Sequence, residues 1–152
     1  MGMTNDGKLT AVDCETIQRG GGHSGYGIVT ILYSGSMLFA IYNLHNARYD
    51  GKRALTNTPP CGAFRGHGTV NVRHAFENTL DEMAAKLGLD PFEGRRTNLI
   101  KEMGFTANDL WVNSYGLPEC LDVVEKASKW KERKGNLPVG KGLGIACSHY
   151  IS

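Results

Sequence analysis

Pro59-Pro60-Cys61-Gly62-Ala63-Phe64-Arg65-Gly66-His67-Gly68 is the stretch on which the reading of this 152-residue chain turns. The two prolines bias what precedes them away from helix, so residues 52–58 are expected to be extended. The glycines then let the backbone bend tightly or come close to something. Beyond the bend, Val72, Phe76, Leu80, Met83 and Leu87 step by 4, 4, 3 and 4, which keeps them on one face of a helix over residues 70–87. Gly88 is its expected stop. An extended segment thus enters a glycine-lined bend that leads into a helix. Free N–H groups gather at such an entry, and with Arg65 beside them they suit an anion or an oxo group. The opposing reading pairs Arg65 with a carboxylate and leaves the glycines to the turn. Residue chemistry alone leaves the two level.

Upstream, Asn5-Asp6-Gly7-Lys8 reads as a hairpin turn, and residues 8–18 alternate in part as a half-buried strand does. Residues 20–27 read as a flexible loop. The apolar runs 28–33 and 37–42 fit either strands or short buried helix. Downstream, Asp90-Pro91 is an N-cap followed by proline at the first helical position, so a short helix runs to about Thr97. A third helix is expected over residues 118–134. Leu121, Val124, Ala127 and Lys131 share one side of it, with Trp130 nearby and Gly135 at its end. Residues 141–152 return to strand character, as though the chain stopped in mid-sheet. No repeat and no linker divides the sequence, so residues 1–152 are taken as one unit. Its fold class is α+β, with strands of a mixed sheet and packed helices.

Composition narrows the function. Hydrophobic residues make up 41% and charged residues 21%, ordinary for a globular chain. A net charge of +2 gives no basic field of the kind that nucleic acid or an anionic membrane attracts. The longest apolar stretch, residues 27–42, is broken by Ser34-Gly35-Ser36 and falls short of the roughly 20 residues a bilayer span needs. Cys14, Cys61, Cys120 and Cys147 are scattered, there is no Asn-x-Ser/Thr sequon, and the first residues lack an apolar signal core. A cytoplasmic location with reduced thiols is the simplest expectation.

Other candidate sites are weaker. Gly20, Gly22 and Gly25 fit the G-x-G-x-x-G pattern of dinucleotide sites, but that fingerprint needs a helix directly after it, and a β-branched run is expected here. Cys61, His67 and His74 are the closest approach to a metal-ligand group, with nothing to make them converge, so no protein-ligated metal is expected. Glu77, Asp81 and Glu82 read as a solvated helix face rather than an acid/base pair.

At the bend the sequence also resembles a known family. Thr56-Asn57-Thr58-Pro59-Pro60-Cys61-Gly62-Ala63-Phe64-Arg65-Gly66-His67-Gly68 is similar to the active-site loop of the large molybdenum-binding subunits of the xanthine dehydrogenase/aldehyde oxidase family. The helix carrying Glu77 and Ala84 continues the likeness. So do Leu89-Asp90-Pro91, Arg95-Arg96-x-Asn98-Leu99, Gly116-Leu117-Pro118-Glu119-Cys120, Trp130 and Lys141-Gly142-Leu143-Gly144-Ile145. Nearly the whole chain is covered. Within the family the motif is most similar to 4-hydroxybenzoyl-CoA reductases, because purine and aldehyde hydroxylases usually carry Phe or Tyr where this chain has His67. The resemblance implies an incomplete piece of a molybdopterin-binding domain. It implies molybdenum held by molybdopterin in its cytosine dinucleotide form, with FAD and iron–sulfur clusters on partner subunits. Gly62, Ala63, Phe64, Arg65 and Gly66 would line that cofactor, and His67 would face the substrate, an aromatic acyl-CoA. Imidazole is the side chain able to exchange a proton near neutral pH, which makes His67 the candidate catalytic group. The partners implied are the remainder of the molybdenum subunit and the iron–sulfur and flavin subunits, with neither nucleic acid nor membrane. The family's glutamate in a Gly-x-Gly-Glu segment and its glutamine-bearing cofactor loops have no match here, so the chain alone is expected to be inactive; the alternatives are a fragment of a molybdenum hydroxylase acting on aldehydes or N-heterocycles, or a non-catalytic packing module.

Overall fold

A computed structural model describes residues 1–23, 25–100 and 104–150. β1 (Gly2–Met3) turns back through a left-handed Gly7 onto β2 (Leu9–Gly21) as an antiparallel pair, which bears out the hairpin turn. The chain then crosses through α1 (Gly27–Leu38) to β3 (Ala47–Leu55), which runs parallel to β2 in register from Val12↔Ala47 to Gly21↔Leu55. After the bend come α2 (Thr69–Lys86) and α3 (Pro91–Asn98), then the small β4 (Gly104–Phe105) and β5 (Trp111–Val112) ribbon, α4 (Leu117–Ser128) and α5 (Trp130–Arg133). Among the described residues the architecture is mixed α and β, with five helices around two small sheets.

The core forms where α1, β2 and α2 meet α3. Leu9, Val12, Leu38, Ile41, Tyr42, Val72, Phe76, Leu80, Phe92 and Trp130 are buried together. Of the face expected of α2, Val72, Phe76 and Leu80 are buried, with Ala84 added to them, while Met83 and Leu87 are only half-buried. Asp90 caps α3 by accepting from Phe92 N at 2.8 Å, while its other oxygen accepts from Trp130 Nε1 at 2.8 Å. One carboxylate therefore serves the helix start and holds α5 against it.

Four expectations are corrected. Residues 28–33 and 37–42 are not two elements, because one helix runs from Gly27 to Leu38. Its buried positions Gly27, Thr30, Ile31, Ser34, Gly35 and Leu38, joined by Met37 in the last turn, follow a helical period carried largely by small and polar side chains. The expected helix over 118–134 breaks at Lys129, whose φ of 51° is left-handed. The break turns Trp130 into the core against Phe92, while Val124 and Ala127 stay exposed. Residues 141–150 form no strand. Their burial does alternate, with Leu143, Ile145 and Cys147 inward, but side chains replace the ladder: Arg95 donates to Ile145 O at 2.8 Å and Glu77 accepts from Cys147 N at 2.9 Å. Ile151 and Ser152 lie outside the described residues.

The fourth correction concerns Glu77. It is not on a solvated face: its carboxylate is 4% exposed and accepts from Tyr42 Oη at 2.7 Å as well as from Arg95 and Cys147. Arg95, fully buried, also donates to Asp81 at 2.6 Å. Burial alone would lower the Arg95 pKa, but hydrogen bonding to Asp81 and the charge of Glu77 outweigh it and raise it. Burial, and then the charge of Glu77, push the Tyr42 phenol well above its ordinary value. Only Glu82 of the three acids stands on an exposed face.

Candidate functional site

The bend is anchored at both ends and open between them. On one side Thr56 N donates to Gly21 O (3.1 Å), Gly22 N to Thr58 O (3.2 Å) and Gly21 N to Thr56 Oγ1 (3.0 Å), stitching the segment to the end of β2. Arg53 Nη2 adds bonds to Gly20 O (2.9 Å) and Cys61 O (3.1 Å). On the other side Thr69 N donates to Gly66 O (2.8 Å), and Ser34 Oγ donates to Gly68 O (2.7 Å). Gly68 enters α2 at φ 90°, and a Cβ there would lie 2.0 Å from Thr30 O, so α1 and the bend touch backbone to backbone. Between these anchors Gly62, Ala63, Phe64 and Arg65 are exposed, and the Phe64 ring is 99% accessible. Arg65 makes no hydrogen bond or ion pair among the described residues, so the reading that tied it to a carboxylate does not hold. The bend presents four residues and a free guanidinium to whatever adjoins it.

His67 stands apart from those four. Its φ of 48° is left-handed, a strained conformation for a residue with a side chain. The ring is held edge-on by Tyr33 at 4.3 Å and Tyr26 at 4.9 Å, and Nε2 is buried with no partner. Tyr33 also stacks at 6.2 Å and 19° on Tyr150. Tyr26 and Tyr33 lie seven residues apart at and within α1, hence on one side of the helix. Sequence reasoning did not single them out, although that spacing was visible.

Behind the bend lies an open cavity of about 430 Å³ lined by Arg65, Gly66, Thr69, Val70, His149 and Tyr150 among others. Thr69 Oγ1 and both ring nitrogens of His149 are buried without partners. Burial, and then the neighbouring Arg73 charge, lower the His149 pKa to about 4, so its imidazole is neutral at pH 7. Neither residue was identified from sequence. The segment 145–149 is placed by Glu77 and Arg95, which are distant in the chain from the residues they hold.

No group of three or more potential metal ligands occurs among the described residues, and Cys61, His67 and His74 do not form one. The glycine fingerprint needs a different reason for its rejection from the one the sequence suggested. A helix does follow Gly20, Gly22 and Gly25, inside a parallel β2–α1–β3 unit. What occupies the start of that helix is Arg53: a Cβ on Gly27 would lie 1.5 Å from its Nη1.

These features meet four findings from known proteins. The family model of the molybdopterin cofactor-binding domain matches residues 1–99, and the chain belongs to that family. The xanthine dehydrogenase molybdenum-binding subunit of Escherichia coli O157:H7 is 34% identical across all of this chain and 21% of its own length. The nicotinate dehydrogenase large molybdopterin subunit of Eubacterium barkeri is 34% identical over 83% of this chain and 30% of its own. Among solved structures, the aldehyde oxidoreductase of Desulfovibrio desulfuricans superposes with a TM-score of 0.71 at 31% identity, over 86% of this chain and 15% of that one. The chain therefore spans about a fifth of the length of relatives that are molybdenum oxidoreductases. No helix of the described residues is long and apolar enough to cross a membrane.

Proposed function

We propose that residues 1–152 form one wall of a molybdenum active site, in a partial molybdopterin-binding domain completed by the remainder of a molybdenum subunit. The observation that carries this is the bend: anchored at residues 56–61 and 66–69, exposed at Gly62, Ala63, Phe64 and Arg65, with a guanidinium that meets no carboxylate among the described residues. Those residues and Gly66 fit a cofactor that the protein does not ligate through side chains, since they offer main-chain amides, one cation and no ligand cluster. They would hold molybdenum–molybdopterin, as the cytosine dinucleotide form. When bound, that group supplies two-electron redox chemistry at a substrate carbon.

The reaction we favour is reductive dehydroxylation of 4-hydroxybenzoyl-CoA. Two electrons and two protons convert the substrate to benzoyl-CoA and water, the electrons arriving from iron–sulfur clusters and FAD on partner subunits. His67 acts in place of an aromatic ring. With Tyr26 and Tyr33 fixing the plane of its ring, the imidazole would offer a hydrogen bond to the departing hydroxyl oxygen, where negative charge builds. A cytoplasmic location goes with this reading.

The second reading, hydroxylation of an aldehyde or N-heterocycle with oxygen from water, is favoured by the likeness to a xanthine dehydrogenase subunit, a nicotinate dehydrogenase subunit and an aldehyde oxidoreductase. The complete subunit assembly decides between them. With a low-potential reductant, formation of benzoyl-CoA supports the first. Oxidation of benzaldehyde or nicotinate with no dehydroxylation supports the second. Within the first, His67→Phe is expected to lower turnover by about 10²-fold, within the usual span for a positioned proton donor. Undiminished turnover would remove His67 from the mechanism.

A further inference from the structure

We propose that Arg53 is a positioning residue for the molybdenum site: it fixes the peptide between Cys61 and Gly62 and so aims the Gly62 N–H at the cofactor. This deepens the reading above and rests on it, since it takes the bend to line a bound molybdopterin.

Arg53 stands in β3 opposite Gln18 of β2, with its guanidinium against the first residue of α1. Glycines make the room. A Cβ on Gly27 would lie 1.5 Å from Nη1, and one on Gly20 would lie 3.0 Å from Nε. Gly20 has no partner in the β2–β3 register, which shifts between Arg19 and Gly21. Nε and Nη1 are buried in this slot. The start of a helix is the positive end of its dipole, so a cation gains nothing from α1 itself. The bonds of Nη2 point elsewhere. It donates to Gly20 O at 2.9 Å, at the end of β2, and to Cys61 O at 3.1 Å, at the start of the bend. One nitrogen therefore joins the sheet to the bend.

The consequence falls on the next amide. Cys61 O and Gly62 N belong to one peptide unit, which is trans, so its C=O and N–H point in opposite directions. With the oxygen drawn to Arg53, the N–H faces away from it, towards the open side of the bend. That N–H donates to nothing among the described residues, and a Cβ on Gly62 would meet open space. Glycine leaves both orientations of this peptide accessible, and the Arg53 bond selects one. The place of the loop is set separately. Residues 59 and 60 press on Gly21, where a Cβ would lie 2.4 Å from Pro60 Cα. What Arg53 adds is the direction of a single donor.

Retention of the cofactor by the full subunit assembly tests this. Molybdenum released over time into buffer is followed by mass spectrometry, and the Mo(V) electron paramagnetic resonance spectrum is recorded on what remains bound. Arg53→Ala is expected to speed release about tenfold, the worth of one directed hydrogen bond, and to shift the spectrum. Arg53→Lys, whose ammonium can also donate to a carbonyl, should recover most of the retention. Arg48→Ala is the control: it lies on the same strand but pairs with Asp13 on the exposed face, and should match the wild type. Gly27→Ala keeps the arginine and drives it from its slot, so it should reproduce Arg53→Ala, and the double variant should be no worse than either. Thermal melting shows which variants fold; if Arg53→Ala does not, Gly27→Ala and Arg53→Lys carry the comparison. The proposal is overturned if release is unchanged, if the retained cofactor keeps the wild-type spectrum, or if the two substitutions multiply. A wild-type assembly without molybdenum would instead sink the molybdenum-site reading, whereas equal retention by wild type and Arg53→Ala would sink the role of Arg53 alone.

Discussion

Replacing Glu77 by Gln removes one charge from the centre of the molecule and almost no volume. In the native protein Glu77 Oε2 accepts from Arg95 Nε at 2.9 Å and from Cys147 N at 2.9 Å and lies 2.8 Å from Arg95 Nη2, while Oε1 accepts from Tyr42 at 2.7 Å. The amide has a best placement: its oxygen toward Arg95 and Cys147, its NH₂ toward Tyr42, whose hydroxyl can turn to accept. Every hydrogen bond then survives in some form. What is lost is the anion facing a guanidinium that has no exposure to water. Removing one partner of a buried pair costs about 3–5 kcal/mol, and the low end applies because Asp81 still contacts Arg95. Asp81→Asn is the internal control. Its side chain is 36% exposed and solvent screens the charge, so the expected loss is below about 1 kcal/mol. Urea unfolding followed by tryptophan fluorescence reads both. A cycle with Arg95→Met should show the two substitutions at Glu77 and Arg95 to be less than additive by about 2 kcal/mol, since the double variant leaves no orphaned charge. Equal costs for Glu77→Gln and Asp81→Asn, or full additivity in the cycle, would refute the view that this pair is the hub holding residues 145–147 to α2.

The remaining expectations are more local. His149 has its pKa lowered to about 4 from an ordinary 6.5, so the unfolded chain takes up a proton there first; its contribution, at most about 3 kcal/mol, is complete above pH 6.5 and is lost as pH falls towards 4. Unfolding midpoints measured from pH 7.5 to 4.5 should fall less steeply in His149→Gln than in the native protein, and parallel curves would contradict this. Gly68→Ala combines a left-handed φ of 90° with a Cβ placed 2.0 Å from Thr30 O; a loss above about 2 kcal/mol is expected, read as a drop in melting temperature. Asp90→Ala takes away the cap of α3 and the acceptor of Trp130 Nε1 together, for about 1–2 kcal/mol and a shift in tryptophan emission; an unchanged spectrum would mean that Trp130 is held by packing alone.

What the sequence made legible was whatever is specified within a few residues. The α2 face could be read because Val72, Phe76 and Leu80 are large, apolar and separated by whole turns. The start of α3 could be read because an N-cap and a proline at the first position act on adjacent backbone. The bend was visible for the same reason. α1 was not, since Thr30, Ser34 and Gly35 are buried but carry little hydrophobicity, and the helix is decided by α2 and β3 packing against it. Residues 141–150 were misread because alternation reports an extended backbone and says nothing about what pairs with it; Glu77 and Arg95 lie some 50 to 70 residues away. Glu77 looked solvated because its three partners come from separate parts of the chain.

That same distance effect explains how the candidate site divides. The bend and His67 are written into one continuous motif, so a resemblance to a family finds them at once. Thr69 directly follows the motif, yet the burial of its hydroxyl, and of His149 where the chain returns at residues 148–150, appears only in the folded chain. The return is set by the Glu77–Arg95 pair, whose residues touch no part of the cavity. A substitution there would move His149 without altering a single lining residue. Glu77→Gln should therefore shift the His149 imidazole resonances in an NMR spectrum while leaving the bend's own contacts with Gly21 and Ser34 intact. Loss of stability with those resonances unshifted would separate the buried pair from the placement of the His149 ring.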